Sequence, residues 1–490
     1  MLSTEQIGNV SGIVVLVLGI TFIFWLIYNK KRRKPNIPAV PQPSKQVIPR
    51  DSHPVSRKKI SANALKVVNR LNSQGYEAYL VGGCVRDLYL DLNPKDFDIV
   101  TSATPEDVRH LFRNSRLIGR RFKLVHVLFG REMIEVATFR ASHEIQHGSD
   151  KSRHSESGRI LRDNVYGSIE DDAIRRDFTI NALYYDARDF SVIDFCNGVE
   201  DIKNRTLRLI GDPVTRYHED PVRMLRAIRF AAKLDFDIAP ESDQPIRELG
   251  HLLKDIPSAR LFDEVLKLLQ SGQGVETFHL LREYGLFKAL FPASEHCLIE
   301  GDEIAEHLIL QSLRSTDKRI AKNRPVTPAF LFAALLWAPM RKLTREFQKE
   351  GMPPVPALQQ AAMTVLDNQV AHTAIPKRFS IMVREIWDFQ GRLERRQPRA
   401  IESLLEHPRF RAAYDFLVLR EQAGEKLGGV GQWWTEIQET DEEGRLSFIR
   451  DLRNPQQPRK SGETKKTVSH PAKRRRRRRK PQGKSGGVES

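Results

Sequence analysis

The sequence predicts an α+β protein, in which a head containing a small mixed or antiparallel β-sheet precedes all-α neck and body regions. Strand-like runs are confined to roughly the first 210 of the 490 residues, and helical patterns dominate after that point. A chain of this length is too long to form a single core. We therefore expect a head over 58–210, a helical neck over 211–275 and a helical body over 276–453.

The N-terminal end differs from the rest of the chain in composition. Val10 to Tyr28 is a nearly unbroken apolar run, close to the roughly 20 residues that span a bilayer, and Lys or Arg occupies each position of 30–34. The positive-inside rule then predicts a transmembrane helix within 1–34 that contacts inner-membrane lipid and tethers a cytoplasmic protein to the membrane. The alternative is an upstream start codon that adds an irrelevant segment.

The C-terminal end carries most of the net charge of +17. Thirteen Lys and Arg lie between Arg459 and Lys484, against two Glu in the last 36 residues. Residues 454–490 lack any apolar pattern, which predicts a disordered basic tail. Such a tail is expected to bind RNA phosphates, with anionic lipid as the alternative ligand. Its centre is a run of six arginines: Arg474, Arg475, Arg476, Arg477, Arg478 and Arg479.

Between these ends, the elements of the head can be assigned in order. Residues 35–57 are rich in Pro, Ser and Lys, which predicts a linker. Ser61 is expected to cap a helix, and Thr104-Pro105 to begin another. Two β-like runs, 123–129 and 133–139, predict a hairpin. Residues 143–167 are polar and aperiodic, which favours a mobile loop over the candidate site.

Three carboxylates in this region point to chemistry. Asp96 and Asp98 alternate with apolar residues, so in a strand they would share one face. Two carboxylates held that close repel each other unless a cation lies between them. Glu135 is a lone charge in a β-rich apolar run and is the candidate third carboxylate. Such a set suits Mg²⁺ and suggests phosphoryl or nucleotidyl transfer.

The alternative for the acidic pair is a solvated surface strand, since a lone D-x-D is common. Gly82 and Gly83 end the apolar run before it, and they favour the chemical interpretation. Glycines permit close approach of the backbone to a triphosphate, which Arg86 could neutralise.

Five ordered motifs between Ser61 and Leu234 resemble the class II nucleotidyltransferases, the family of bacterial poly(A) polymerases and tRNA CCA-adding enzymes. They are LVGGCVRDLYL, KDFDIVTSATPEDV, IEVATFR, RRDFTINALYYD and EDPVRMLRAIRFAAKL. Three further segments, GRRFKLVHV, IPKRF and HPRFRAAY, are similar to the poly(A) polymerase branch. The resemblance covers most of the chain except its two ends.

The resemblance implies a nucleotidyltransferase head that adds AMP from ATP to RNA 3′ ends and releases pyrophosphate. It implies that Asp177 belongs to the active site, that Asp220 and Arg223 select the base, and that Arg176 lies near them. Without the family, capping next to a solvated face is the preferred interpretation of Asp220. For Asp177 the alternative is a helix N-cap after a loop, and this role can coexist with one in the active site. Two Mg²⁺ ions are the expected cofactors, with Mn²⁺ as a possible substitute, and the neck and body are expected to bind RNA. RNA-decay proteins are conceivable partners that the sequence does not identify.

Two other functions compete with this one. CCA addition to tRNA uses the same chemistry, and the basic tail together with GRRFKLVHV favours poly(A) synthesis. A membrane-tethered RNA adaptor with an inactive head would have no reason to keep three mutually repelling acids.

Three widely spaced cysteines form neither a disulfide framework nor a zinc pattern. Metal-assisted transfer also needs no nucleophilic thiol, so we assign Cys84 no catalytic role.

Overall fold

A computed structural model describes residues 45–119, 123–141, 152–154, 160–163 and 166–453 of the chain. Its strands are β1 (Gln46–Ile48), β2 (Ala78–Val81), β3 (Asp98–Thr101), β4 (Ser115–Ile118), β5 (Leu124–Phe129), β6 (Glu132–Thr138), β7 (Ser152–His154), β8 (Ile160–Asp163), β9 (Leu183–Tyr185), β10 (Val192–Asp194), β11 (Thr206–Leu207) and β12 (Asp237–Ile238).

Eight of these strands form the sheet of the head, in the order β1-β10-β9-β2-β3-β6-β5-β4. All neighbouring pairs in this sheet are antiparallel except β3 and β6, which run parallel. The predicted hairpin is confirmed as β5 and β6, with Gly130 at φ +62° in the turn between them. Strands β7 and β8 form a separate antiparallel pair, and β11 and β12 a parallel one.

Five α-helices pack on the head: α1 (Ala62–Ser73), α2 (Gly83–Tyr89), α3 (Pro105–Leu111), α4 (Ile169–Arg175) and α5 (Gly198–Lys203). Their starts follow local chemistry. The Ser61 side chain caps α1, as predicted. Thr104 and Asp107 form a capping box at α3, with Pro105 in the first turn. A 3₁₀ turn, Thr179–Asn181, joins α4 to β9.

The neck and body are helical, as predicted. Their helices are α6 (Pro213–Glu219), α7 (Val222–Leu234), α8 (Pro240–Leu249), α9 (Ser258–Leu269), α10 (Gly274–Glu283), α11 (Phe287–Leu290), α12 (Pro292–Ile299), α13 (Glu303–Ala321), α14 (Pro328–Leu335), α15 (Trp337–Lys349), α16 (Pro354–Val370), α17 (Lys377–Arg395), α18 (Ile401–Leu405), α19 (Phe410–Gln422), α20 (Val430–Glu439) and α21 (Glu442–Arg453).

One apolar core runs from the head sheet through the neck into the body. The apolar face of α7, formed by Leu225, Ile228 and Ala232, is buried. At the junction, Phe178 of the head meets Phe230 of α7 edge to face, with ring centroids 5.7 Å apart. A second cluster, centred on residues of α17 to α21, forms the C-terminal end of the body.

Two predicted features of the head need correction. The sheet is not small. Three short strands, β1, β9 and β10, extend it to eight strands. One of them, β1, lies within the predicted linker over 35–57. Val55 in the same segment is fully buried, and the His53 ring contacts the Phe190 carbonyl at 2.9 Å, so this part of the chain belongs to the head.

The transmembrane helix in the predicted fold class was wrong. No helix in the described ranges is both long enough and apolar enough to cross a membrane. The segment for which we predicted it, within 1–34, lies outside the described residues. The fold of the described residues is therefore an α+β head followed by helical neck and body regions. The basic tail over 454–490 and most of the loop predicted over 143–167 also lie outside the described residues.

Gly198 provides a test of how the head holds the Thr179–Asn181 turn in place. A Cβ at this position would lie 2.2 Å from the carbonyl oxygen of Thr179, a backbone atom that cannot swing away. We expect Gly198→Ala to lower the free energy of unfolding by about 1–3 kcal/mol, as overpacking does. Urea unfolding followed by circular dichroism measures it.

The matched control is Gly391→Ala in the middle of α17. There the new Cβ would approach only the mobile Arg395 side chain, at 3.2 Å. Helix propensity favours alanine over glycine by about 1 kcal/mol, so stability should be unchanged or higher. Equal losses in both variants would contradict the steric argument.

Candidate active site

Two carboxylates lie side by side at the centre of the head sheet. The parallel register of β3 and β6 pairs Asp98 directly with Glu135, on strands spaced about 4.8 Å apart. Asp96 is exposed and lies two residues before β3, separated from Asp98 by the buried Phe97. The structure therefore brings Asp98 and Glu135 together, while Asp96 precedes the strand instead of lying within it.

The environment of Asp98 disfavours its charged form. Although this carboxylate remains in contact with solvent, the surrounding protein removes much of its hydration. Loss of hydration, followed by repulsion from Glu135, raises the pKa of Asp98 to about 6, and Asp96 adds to the shift. Arg176 opposes it. A carboxylate held in this way gains from any cation that binds beside it.

The acidic residues fit a hard divalent cation. Within the described ranges, no three His, Cys, Asp or Glu side chains converge closely enough to form a metal-binding set by themselves. Mg²⁺ typically takes only one or two protein carboxylates and completes its octahedron with water and substrate phosphates. A closely spaced pair of oxygen ligands at the mouth of a cleft is what that chemistry requires.

Arginines line the same cleft as the acids. Arg140 follows β6, and Arg175 and Arg176 close α4; all three face the cavity that Asp98 and Glu135 line. Burial, followed by repulsion from Arg140 and other arginines, lowers the pKa of Arg175 to about 9. Mutual repulsion among these arginines would be relieved by a polyanion that binds beside them, so the cleft favours polyanion binding. Sequence reasoning missed Arg140 and Arg175, although both lie in quoted motifs, one as the last residue of IEVATFR and the other as the first of RRDFTINALYYD.

The glycine turn brings the backbone against one of these arginines. Gly82 has φ +76° and ψ −131°, a conformation that only glycine adopts easily. A Cβ there would lie 3.3 Å from Arg176 Nη1. Gly83 begins α2, and a Cβ there would lie 3.5 Å from Nη2 of a different arginine, Arg86.

Arg86 is placed differently from the prediction. Its side chain is buried, with Nε and Nη2 bonded to Asp87 Oδ1 and Nη1 bonded to Asn181 Oδ1 at 2.6 Å. Its guanidinium also lies 5.1 Å from the ring centroid of Phe230. This arrangement favours a role in joining α2 to the RRDFTIN turn and to the neck, and argues against direct contact with a triphosphate.

Asp177 connects the head to the neck. Its carboxylate accepts hydrogen bonds from Arg226 Nε at 2.7 Å, from Asn181 Nδ2 at 3.1 Å and from the Phe178 amide at 2.9 Å. Burial alone would raise its pKa, but the Arg226 guanidinium and these bonds hold the pKa of Asp177 well below its usual range. It does not line the cleft of Asp98; it fixes α7 against the head.

The two predicted base-reading residues are held by separate partners. Asp220 follows α6 and accepts a hydrogen bond from Arg260 at 2.7 Å. Pro221, and not Asp220, occupies the N-cap of α7, although Asp220 Oδ1 lies 3.3 Å from the amide of Val222. Arg223 is buried and donates to Glu219 at 2.8 Å and to the carbonyl of Arg216 at 2.6 Å.

Cys84 lies inside the glycine motif but is buried. Loss of hydration, followed by repulsion from Asp98, raises the pKa of its thiol to about 12. A thiol in that state supplies no thiolate near neutral pH, which agrees with the sequence-based exclusion of a nucleophilic cysteine.

Three family models match the chain. They describe the poly A polymerase head domain (residues 78–208), a probable RNA and SrmB- binding site of polymerase A (235–298), and a polymerase A arginine-rich C-terminus (350–481). Poly(A) polymerase I of Salmonella typhimurium is 51% identical over 430 residues, which are 86% of this chain and 92% of the relative. The chain belongs to the poly(A) polymerase family. Its activity is template-independent addition of AMP from ATP to RNA 3′ ends, with release of pyrophosphate.

Similarity to the CCA-adding enzymes is more restricted. The enzyme of Lactobacillus helveticus is 42% identical over 205 residues, which are 42% of this chain and 49% of the relative. A solved tRNA-processing enzyme in its apo form I superposes with a TM-score of 0.53 at 22% identity, over 81% of this chain and 99% of its own. That likeness shows a shared nucleotidyltransferase fold. Enzymes of the poly(A) polymerase family depend on divalent metal ions and bind nucleotide and RNA.

The raised pKa of Asp98 predicts a pH-dependent stability in the metal-free polymerase. Its folded-state pKa of about 6 exceeds the ordinary value of about 3.9, so the folded state binds the proton more tightly than the unfolded state. Wild-type stability is therefore lost as pH rises from about 4 to about 6. In EDTA, Asp98→Asn should melt at a higher temperature than wild type at pH 8, and this gain should vanish near pH 4.

Differential scanning calorimetry across that pH range is the measurement. Asp263→Asn, on an exposed face of α9, is the control and should track the wild-type curve at every pH. A constant difference between wild type and Asp98→Asn from pH 4 to pH 8 would mean that repulsion in the cleft is absent.

Proposed function

We propose that the cleft between β3, β6 and the end of α4 holds ATP together with two divalent ions and the RNA 3′ end. Asp96, Asp98 and Glu135 would hold the ions, which are Mg²⁺ or in its place Mn²⁺. When bound, these ions would polarise the α-phosphate and favour ionisation of the 3′-hydroxyl. The observation that carries the proposal is the paired register of Asp98 and Glu135, facing a wall of arginines.

The chain's own contribution to catalysis is placement and charge. Gly82 and Gly83 would let the triphosphate approach the backbone of the turn, and Arg176 would neutralise its phosphates. The arginines remain charged before substrate arrives, so little reorganisation is needed as charge moves onto the leaving pyrophosphate. Holding the 3′-hydroxyl in line with the α-phosphate removes much of the entropic barrier. Arg86 acts beneath the turn by fixing Asn181 and Asp87.

The neck would select the base. Asp177 anchors α7 through Arg226, which sets the distance between the phosphate cleft and the residues before α7. Asp220 and Arg223 would read the adenine edge by hydrogen bonds, once their present partners Arg260 and Glu219 share or release them. Polar reading discriminates strongly because a wrong base leaves buried groups unpaired.

Metal binding by Asp98 is testable by activity. Asp98→Ala should reduce AMP incorporation at least about 100-fold, because metal-ion catalysis supplies several kcal/mol and about 1.4 kcal/mol corresponds to a factor of ten. Asp96→Ala and Glu135→Ala should also lose activity. EDTA should abolish wild-type incorporation, and Mg²⁺ should restore it.

The assay is incorporation from each NTP alone onto an unrelated RNA, with Asp263→Ala as the control that should remain active. Near-normal incorporation by Asp98→Ala, with the fold intact, would refute its role in holding metal. Long A tracts on unrelated RNA distinguish poly(A) synthesis from addition of a single A to tRNA ending in CC.

Base choice by the neck is testable by substrate competition. Arg223→Ala should reduce the ratio of kcat/KM for ATP to that for CTP by about tenfold or more. Truncation of the Arg223 side chain leaves Glu219 without this partner. Asp220→Asn, a conservative change at the other residue proposed to read the base, is therefore measured in parallel. Unchanged selectivity in both variants, together with a lowered melting temperature, would assign these residues to packing alone.

The arginine run Arg474–Arg479, outside the described residues, is proposed to bind RNA phosphates. Truncation after Gln457 should raise the KM for RNA and leave that for ATP nearly unchanged. Each lost phosphate contact on single-stranded RNA lowers the salt slope by about 0.7, so six arginines account for up to about four units.

Replacing the six arginines by six lysines is the matched control, because it keeps the charge and should preserve the salt slope. The experiment measures RNA affinity from 50 to 200 mM salt. An unaltered affinity and slope after truncation would show that the tail does not contact RNA.

A further inference from the structure

We propose that Asp172 and Tyr184 are positioning residues that hold the Arg176 guanidinium against the Gly82 turn, in the orientation that meets the triphosphate. The inference rests on the function proposed above, in which Arg176 contacts the nucleotide phosphates. It concerns two residues to which the sequence analysis gave no role, Asp172 and, within RRDFTINALYYD, Tyr184, and assigns them a role through Arg176 instead of through substrate.

The three side chains form a closed hydrogen-bonded ring. Asp172 Oδ2 accepts from Arg176 Nη2 at 2.9 Å and from Nε at 3.2 Å. The Tyr184 hydroxyl accepts from Arg176 Nε at 3.1 Å and donates to Asp172 Oδ2 at 2.9 Å. One edge of the guanidinium is thereby fixed. The remaining nitrogen, Nη1, faces Gly82, where an added Cβ would lie only 3.3 Å away.

Burial makes this ring rigid. Asp172 is 7% exposed and Tyr184 is fully buried, whereas 23% of the Arg176 side chain is exposed at the cleft. The Tyr184 ring is locked edge to face against Phe195, with centroids 5.8 Å apart, and the Arg176 guanidinium lies 5.4 Å from the Tyr184 centroid. Charge-assisted hydrogen bonds in such surroundings are the strong ones.

The hydrogen-bonded ring keeps the Arg176 guanidinium away from the acidic pair in the same cleft. Arg176 and Asp98 line the same cavity, and a flexible guanidinium would be drawn onto the acidic pair, where it would compete with the divalent cation. Asp172, four residues before Arg176, provides an alternative carboxylate whose Oδ2 already accepts hydrogen bonds from both Arg176 and Tyr184. The arginine therefore stays positively charged, oriented and apart from Asp98 before ATP arrives.

A second Asp–Arg–Tyr group in the head, in which Arg188 joins Asp186 to Tyr79, serves as the control. Arg188 pairs with the buried Asp186 at 2.6 Å and donates to the Tyr79 hydroxyl at 3.1 Å. Neither Arg188 nor Asp186 lines the cleft. Equivalent substitutions there remove hydrogen bonds of Arg188 and leave those of Arg176 intact, and Tyr79→Phe keeps the aromatic ring that packs edge to face on Tyr184.

The test is steady-state kinetics with full-length protein carrying Asp172→Asn, Tyr184→Phe or Arg176→Gln. We expect Asp172→Asn to raise the KM for ATP and the inhibition constant of pyrophosphate about tenfold, the equivalent of one lost charge-assisted hydrogen bond. Tyr184→Phe should raise both about threefold. The KM for RNA and the inhibition constant of adenosine, which lacks phosphates, should stay within twofold of wild type.

A double variant distinguishes positioning from general support of the fold. If Asp172 acts through Arg176, the ATP KM of the Asp172→Asn, Arg176→Gln protein should equal that of Arg176→Gln alone, because coupled residues are not additive. Asp186→Asn and Tyr79→Phe should leave the ATP KM unchanged. Should Asp172→Asn fail to fold, Tyr184→Phe decides by the same criteria.

Two outcomes separate the inference from the function on which it rests. If Arg176→Gln raises the ATP KM while Asp172→Asn and Tyr184→Phe leave it and the pyrophosphate constant unchanged, the positioning role is wrong and the phosphate contact stands. If Arg176→Gln itself changes neither constant, the phosphate contact is wrong, and any effect of Asp172 would have another origin.

Discussion

Parallel pairing of β3 with β6 forces two carboxylates, Asp98 and Glu135, onto neighbouring strands at the same level of the head sheet. The other neighbouring pairs in this sheet are antiparallel. At this one parallel pair, acidic residues from two distant parts of the chain lie on adjacent strands. The repulsion it creates raises the pKa of Asp98. The negative charge of this pair explains the other features of the cleft. It attracts cations to the mouth of the cleft, and arginines line the same cavity.

The arginines create the opposite problem, since like charges crowd one another at the junction of head and neck. Several arginines are each paired with a buried or half-buried acid: Arg176 with Asp172 four residues before it, Arg216 with Glu219 three residues after it, and Arg226 of the neck with Asp177 of the head. A buried ion pair contributes little net stability, but losing one partner leaves an uncompensated charge. These acids therefore fix the positions of the positively charged arginines. For binding a polyanionic substrate, those positions matter more than the number of arginines.

Sequence reasoning reached the acids and the order of the helices because both follow from local pattern. The alternation around Asp98, the isolated Glu135 and the capped starts of α1 and α3 needed only neighbouring residues. It could not reach pairings set by tertiary contacts. Arg86 occupies a motif that suggests phosphate binding, yet the buried partners Asp87 and Asn181 engage it. The eight-stranded sheet likewise depends on β1, whose three residues carry no distinctive pattern, and the apolar run before residue 35 suggested a membrane helix for which the described structure provides no counterpart.

The continuous core across head, neck and body limits how new specificities arise in such a chain. Phe178 and Phe230 interlock across the boundary, and Asp177 binds Arg226 there. A neck transplanted from a related nucleotidyltransferase would have to match this interface residue for residue. An engineered chimera should therefore take the head, the neck and the first part of the body from one parent, and place its crossover where the second apolar cluster begins, near the end of α17.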